Sequence, residues 1–95
     1  MSEVIEAAVA ALSEKDTSSF EGSAKFVIEG EGSVMLDSNG ARAGDEEADV
    51  TLTSSADTFH GILSGDMDPT QAFMGGKLTV DGDMGMAMAL GSVLT

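Results

Sequence analysis

The residues with chemical potential are few. There is one histidine, His60, and there are acids in close groups at Asp45-Glu46-Glu47, Asp66/Asp68 and Asp81/Asp83. His60 falls in the middle of a helical segment, beside Phe59. With no cysteine and no second histidine, a nucleophile and base of the usual kind cannot be paired. A surface histidine is the simpler reading. The stretch DGDMG begins like a calcium loop, but the third oxygen ligand and the bidentate glutamate further on are missing. Turn and helix-cap roles account for these acids more simply. GGKLT is not a phosphate loop, because the upstream glycine is absent and Leu78 follows the lysine where Ser or Thr should stand. The expectation is no catalysis, no metal and no cofactor.

Charge narrows the partners. Seventeen acids face four bases, Lys15, Lys25, Arg42 and Lys77, for a net charge of −13. Nucleic-acid binding needs clustered bases against phosphates, which four scattered ones do not supply. Anionic bilayers repel such a chain, so contact with membranes is expected to be transient at most. The start, MSEVIEAAVAALSEKD, has no basic leader, and Glu6 interrupts its apolar residues, so it reads as neither a signal peptide nor a membrane span. GSVLT at the other end is not a Ser-Lys-Leu type address. The expectation is one cytoplasmic domain over 1–95, a monomer or weak dimer.

The elements that must position any site follow from periodicity. Residues 3–14 read as a helix capped by Ser2, with Ile5, Val9 and Leu12 at helical spacing, joined by Val4 and Ala8. SAKFVIEG then alternates, with Ala24, Phe26 and Ile28 on one face. GSVMLDSNG sets Val34 and Leu36 against Ser33, Met35 and Asp37. Asn39-Gly40 signals a tight turn, since both residues tolerate positive φ. ARAG is the returning strand, and ADVTLTSS alternates again with Val50 and Leu52 inward. These strands read as an antiparallel meander with one wet face. A helix capped by Ser54 or Ser55 runs to about Ser64 and stops at Gly65, directing Phe59, Ile62 and Leu63 one way. In DPTQAF, Asp68 is the cap, Pro69 takes the first helical position and Gln71 completes a capping-box pattern. KLTVDG is a last strand, and Asp83 caps a final helix, MGMAMALGSVL.

That final helix is apolar nearly all round. Met84 and Met88 share a face with Ala87 and Gly91, whereas Met86 shares one with Leu90 and Val93. A helix of a small domain should have one wet side. From these residues, core filling, the wall of a ligand site and a subunit contact all stay open. Methionine is unbranched and polarizable, and so suits irregular or changing space.

The segment ADVTLTSSADTFHGILSGDMDPTQAFMGGKLTVDGDMGMAMAL resembles the carboxyl-terminal half of the sterol carrier protein-2 domain, also called nonspecific lipid-transfer protein. The resemblance is most specific from Gly65 to Leu90. It rests there on Pro69 after an acidic cap, Ala72-Phe73, Gly76-Lys77-Leu78, Gly82-Asp83 and the Met-Gly-Met-Ala run. It implies an α+β fold, a five-stranded and mainly antiparallel sheet with helices packed on one face. Between them the family holds an apolar tunnel for fatty acyl chains, acyl-CoA, sterols or other lipids. By position the walls would come from Phe26, Ile28, Leu36, Leu52, Phe59, Leu63, Phe73, Met74, Leu78, Met84, Met88 and Leu90, with Phe73 and Met84 foremost. The implied function is non-catalytic binding and carriage of a lipid. The alternative is an interaction module that presents lipid, or an apolar cleft, to a partner enzyme. Family members that visit anionic membranes tend to be basic, and this chain is the reverse.

Magnitudes bear on that tunnel. An empty enclosed void of ~300 Å³ would cost about 7 kcal/mol, against a total stability of about 5–15 kcal/mol. Met84, Met86 and Met88, with Gly85 and Gly91, are therefore expected to slump inward when the site is empty and part when it is filled. The acidic surface is expected to favour neutral head groups over free carboxylates.

Overall fold

The computed structural model describes residues 3–15, 17–18 and 20–94. In chain order it contains α1 (Glu3–Ser13), β1 (Ser23–Ile28), β2 (Gly32–Asp37), β3 (Gly40–Ala43), β4 (Val50–Ser54), α2 (Ala56–Ser64), α3 (Pro69–Met74), β5 (Leu78–Gly82) and α4 (Met84–Leu94). The expected cap Ser2 lies outside the described residues. Ile5, Ala8 and Leu12 form the buried stripe of α1, at the spacing of three and four that keeps side chains on one helix face. At α2, Ser55 is the cap: its Oγ accepts the Thr58 N–H at 3.2 Å, and its hydroxyl donates to Thr58 Oγ1 at 3.0 Å. Gly65 ends the helix at φ +87°, a conformation in which a Cβ is strained, with its N–H on the Ile62 carbonyl.

The strands form one mixed sheet in the order β3-β2-β1-β4-β5. Three ladders are antiparallel, but β1 and β4 run parallel, with Phe26 opposite Leu52. The expected antiparallel meander therefore holds only for β1 to β3. One sheet face carries Ala24, Phe26, Ile28, Val34, Leu36, Val50, Leu52 and Leu78, all buried beneath the helices. Phe59 of α2 packs on Phe26 with ring centroids 5.3 Å apart and planes tilted by 58°.

The parallel pair corrects a second expectation. To start β4 beside β1, the chain after β3 must return across β2 and β1, and residues 44–49 do so over the outer sheet face. Asp45 pairs there with Lys25 at 2.9 Å, and Glu46 with Arg42 at 3.3 Å. A Cβ added to Gly44 would lie 3.1 Å from Met35 Cγ, so the crossover covers that side chain. Met35, placed on the wet face by alternation, is 2 % exposed. The β2–β3 turn also differs. Asp37 pairs with Gly40, so Ser38 and Asn39 form the loop. Gly40 alone in this turn has a positive φ, +120°. Asn39 instead donates its N–H to Asp37 Oδ1 at 2.9 Å, which closes the turn through a side chain.

Candidate functional site

At the β5 edge the helices stand away from the sheet. Asp68 caps α3, its Oδ1 accepting the Thr70 N–H at 2.7 Å, and Pro69 opens the helix. Gly75 and Gly76 end α3 after six residues, and the Lys77 N–H bonds the Ala72 carbonyl as the chain turns into β5. At the far end of β5, Gly82 (φ +111°) passes so near β4 that a Cβ would sit 2.5 Å from the Asp49 carbonyl oxygen. The Asp83 N–H donates to that oxygen at 3.1 Å, and Asp83 Oδ1 accepts the Met86 N–H at 3.2 Å to start α4. The strand is thereby pinned at both ends, with a helix leaving each.

Between α3, α4 and the β4–β5 ladder lies a cleft of about 420 Å³, within the range of small-molecule sites. The sheet forms its floor with Leu52, Leu78 and Val80. One wall is Pro69, Thr70, Phe73 and Met74 of α3, with Asp68 at its start. The other is Met84, Ala87, Met88 and Gly91 of α4. The large hydrophobic side chains that are exposed among the described residues are Phe73 (41 %), Met74 (79 %), Met84 (47 %) and Met88 (78 %), and all four border this cleft. Scattered exposed apolar groups are ordinary, whereas a cluster around a concavity marks a binding surface. The cleft is open to solvent along Met74 and Met88, so the cavity penalty of a sealed void does not arise.

The two faces of α4 have separated. Leu90 is fully buried, and Met86 and Val93 pack against the core. Met86 reaches Gly22, where a Cβ would meet its terminal methyl group. Met86 is thus core, not wall, which corrects the expectation that it moves with Met84 and Met88.

Of the twelve residues named from the resemblance, the cleft brings together Leu52, Phe73, Met74, Leu78, Met84 and Met88. Phe26, Ile28, Leu36, Phe59 and Leu90 lie in the continuous core. Leu63 packs partly against that core and borders a separate depression with Lys15, Ile62, Met67 and Asp68. The lining residues not named are Asp68, Pro69, Thr70, Val80, Ala87 and Gly91. A signal existed for three of them: Val80 shares the strand face of Leu78, and Ala87 and Gly91 share the helix face of Met84 and Met88. Asp68, Pro69 and Thr70 read only as a helix start.

Among the described residues, none with catalytic reach lines the cleft besides Asp68 and Thr70. His60 is exposed on α2. Among the described residues, no cluster of histidine and acids is placed to hold a metal ion. The acids have other roles: Asp68 and Asp83 cap helices, and Asp45 and Glu46 pair with bases.

Comparison with known proteins decides the family. The model of the SCP-2 sterol transfer family matches residues 3–95. The chain belongs to the SCP-2 sterol transfer family. Among its relatives, a hydroxysteroid dehydrogenase-like protein 2 from Xenopus laevis is 33 % identical over 102 residues, covering 99 % of this chain and 24 % of its own length. Human sterol carrier protein 2 is 41 % identical over 64 residues, covering 67 % of this chain and 11 % of its own. The chain thus spans a quarter or less of these relatives. The solution structure of Aedes aegypti sterol carrier protein-2 in complex with palmitate superimposes at a TM-score of 0.79, with 22 % identity, over 100 % of this chain and 97 % of that one. A crystal structure of Aedes aegypti sterol carrier protein 2 like 2 gives 0.74 and 22 %, over 95 % and 92 %. At such identity these two likenesses concern the fold, and they place this five-stranded sheet and its four helices among SCP-2 domains.

Proposed function

We propose that the cleft takes the hydrocarbon tail of a lipid and that the chain carries this lipid without transforming it. The observation that supports this reading is the convergence of Phe73, Met74, Met84 and Met88, exposed to water, on a single concavity. The palmitate held by the Aedes aegypti protein of the same fold is in keeping with it. On filling, Met74, Met84 and Met88 fold over the tail and turn the open cleft into a tunnel, which flexible unbranched side chains permit. Burying ~10 methylenes gains roughly 8 kcal/mol before the losses of immobilisation. Micromolar affinity, about −8 kcal/mol net, is therefore an upper bound unless a head group adds contacts. The proposed setting is the cytoplasm, with at most transient contact with membranes.

Native mass spectrometry of the purified protein, followed by organic extraction, tests the reading. A bound lipid is expected, and added lipid should raise the melting temperature, by the equivalent of about 2.7 kcal/mol at a hundredfold excess over Kd. No bound mass and no thermal shift with any hydrocarbon-tailed molecule would remove the proposal. A second reading is presentation of the lipid to a partner enzyme. It is favoured by the longer relatives, in which the matched region is only part of the chain. A protein that copurifies without extractable lipid would favour an interaction module over a free carrier.

A further inference from the structure

The carrier reading leaves the head group open, and the cleft wall carries information about it. Among its described lining residues one is charged, and it is an acid, Asp68. The bases are engaged or placed elsewhere. Lys25 and Arg42 are in ion pairs on the outer sheet face. Lys15 is not part of the wall, but borders the depression at the end of α2 that shares Asp68 with the cleft. Lys77 precedes β5 and is not part of the wall.

Asp68 uses Oδ1 for the Thr70 N–H and sits exposed at the end of the wall. Its second oxygen, Oδ2, is a further acceptor on a residue that borders a mostly apolar site. Beside it the Thr70 side chain also lines the cleft and supplies a hydroxyl that both donates and accepts. An ionised carboxylate is an acceptor only, so it would meet Asp68 as a like charge, and among the described lining residues the side-chain donor is the Thr70 hydroxyl. An alcohol can donate to Asp68 Oδ2 and accept from Thr70. An ammonium can donate to both.

Resting on the carrier reading, we propose that Asp68 and Thr70 form the head-group end of the cleft and select amphiphiles whose head donates hydrogen bonds and bears no negative charge. Asp68 then has two roles, capping α3 through one oxygen and reading the ligand through the other. The wall of α3 that reads the head also supplies Phe73 and Met74 for the tail, so chain and head are held by one short helix.

The test compares dodecanol, dodecylamine and dodecanoate by calorimetric titration at neutral pH, at low and high salt. Dodecanol and dodecylamine are expected to bind about tenfold more tightly than dodecanoate, the size of one hydrogen bond to a charged group. The gap should persist in high salt, which screens the distant charges of the chain more than a direct contact. Asp68→Asn keeps an N-cap acceptor and removes the charge, so its melting temperature should stay near that of the parent while the gap closes. Thr70→Val leaves the backbone N–H at the cap in place. It should weaken dodecanol several-fold and dodecylamine less.

A preference that vanishes in high salt and survives Asp68→Asn would assign it to overall charge and overturn the proposal. So would tighter binding of dodecanoate that is lost in Lys15→Gln, which would put the head in the depression beyond Met67. If the three bind equally, this selectivity fails and the carrier reading stands. If none binds, the carrier reading fails first and takes the selectivity with it.

Discussion

The two ends of one sheet are covered in opposite ways. Over β2 and β3, α1 packs closely: Ile5, Ala8 and Leu12 share one buried core with Val34 and Leu36, and Leu12, Val34 and Leu36 have no exposed surface. Over β4 and β5, α3 and α4 stand apart, and Leu52, Leu78 and Val80 line an open cleft. Side-chain type follows the division. The closed end uses branched residues and an amphipathic helix whose polar face is acidic. The open end uses methionine, small residues and a helix with no polar face. A surplus of apolar surface on a helix of a small domain thus has a use, because the face not needed by the core becomes the wall of the cleft. The lesson is that stability and binding are assigned here to different side chains, and substitutions can separate them.

The largest expected effect breaks the closed end. Leu12→Ala removes a fully buried side chain and should destabilise the fold by about 2–5 kcal/mol, read by denaturant unfolding. Its lipid affinity, measured where the variant is still folded, should be near that of the parent. A small loss of stability would mean that this end is not packed as described. Next in size is the joint between β5 and α4 at the open end. Gly82→Ala forces a Cβ toward the Asp49 carbonyl oxygen at a φ of +111°, and about 1–3 kcal/mol of strain is expected. Because Gly82 joins β5 to α4, this variant should lose both stability and affinity. An unchanged melting temperature would show that the close approach carries no constraint.

A smaller effect sharpens the open end. Met88 is mostly exposed, so Met88→Glu should change stability by no more than about 0.5 kcal/mol. It places a charge where the tail would lie, and binding of a neutral lipid should weaken at least about tenfold, since an unpaired charge resists desolvation. Met86→Glu is the matched control on the other face of the same helix. It should harm folding instead, since Met86 packs on the core and against Gly22. If the two variants behave alike, α4 does not divide as described.

Much of this division was legible in the sequence. The split of α4 into a Met84/Met88 face and a Met86/Leu90 face follows from helical spacing, and the caps at Asp68 and Asp83 follow from residue type, whereas the cap of α2 was open between Ser54 and Ser55. Strand alternation identified Phe26, Ile28, Leu36 and Leu52 as inward. What alternation cannot report is whether an inward side chain meets another side chain or an empty space. This is why Leu52 lines the cleft while Phe26, Ile28 and Leu36 lie in the core. The parallel pairing of β4 with β1 was not legible either, because local periodicity carries no information about which strand edges meet. Met35 shows the consequence. Its position in β2 reads as wet, and only the crossover of residues 44–49, a product of that pairing, buries it.

The smallest prediction concerns the outside of the closed end, where this crossover is held by exposed ion pairs. Asp37 accepts the Asn39 N–H and is 3.1 Å from the Arg42 guanidinium, which also contacts Glu46. The turn N–H, and then Arg42, hold the Asp37 carboxyl below its ordinary value of 3.8. A carboxyl lowered in the folded state stabilises the fold above its unfolded value, and this contribution is lost as pH falls through the lower folded value. The stability difference between the parent and Asp37→Asn should therefore be complete at about pH 6 and shrink below 3.8. Exposed pairs are screened by water and salt, so the difference should be smaller than that of Leu12→Ala or Gly82→Ala. Lipid affinity in the same variant should not change, because Asp37 lies on the far face of the sheet, two strands from β4. A change in affinity that tracks the Asp37 titration would mean that the crossover and the cleft are mechanically coupled, and that the two ends of the sheet are not independent.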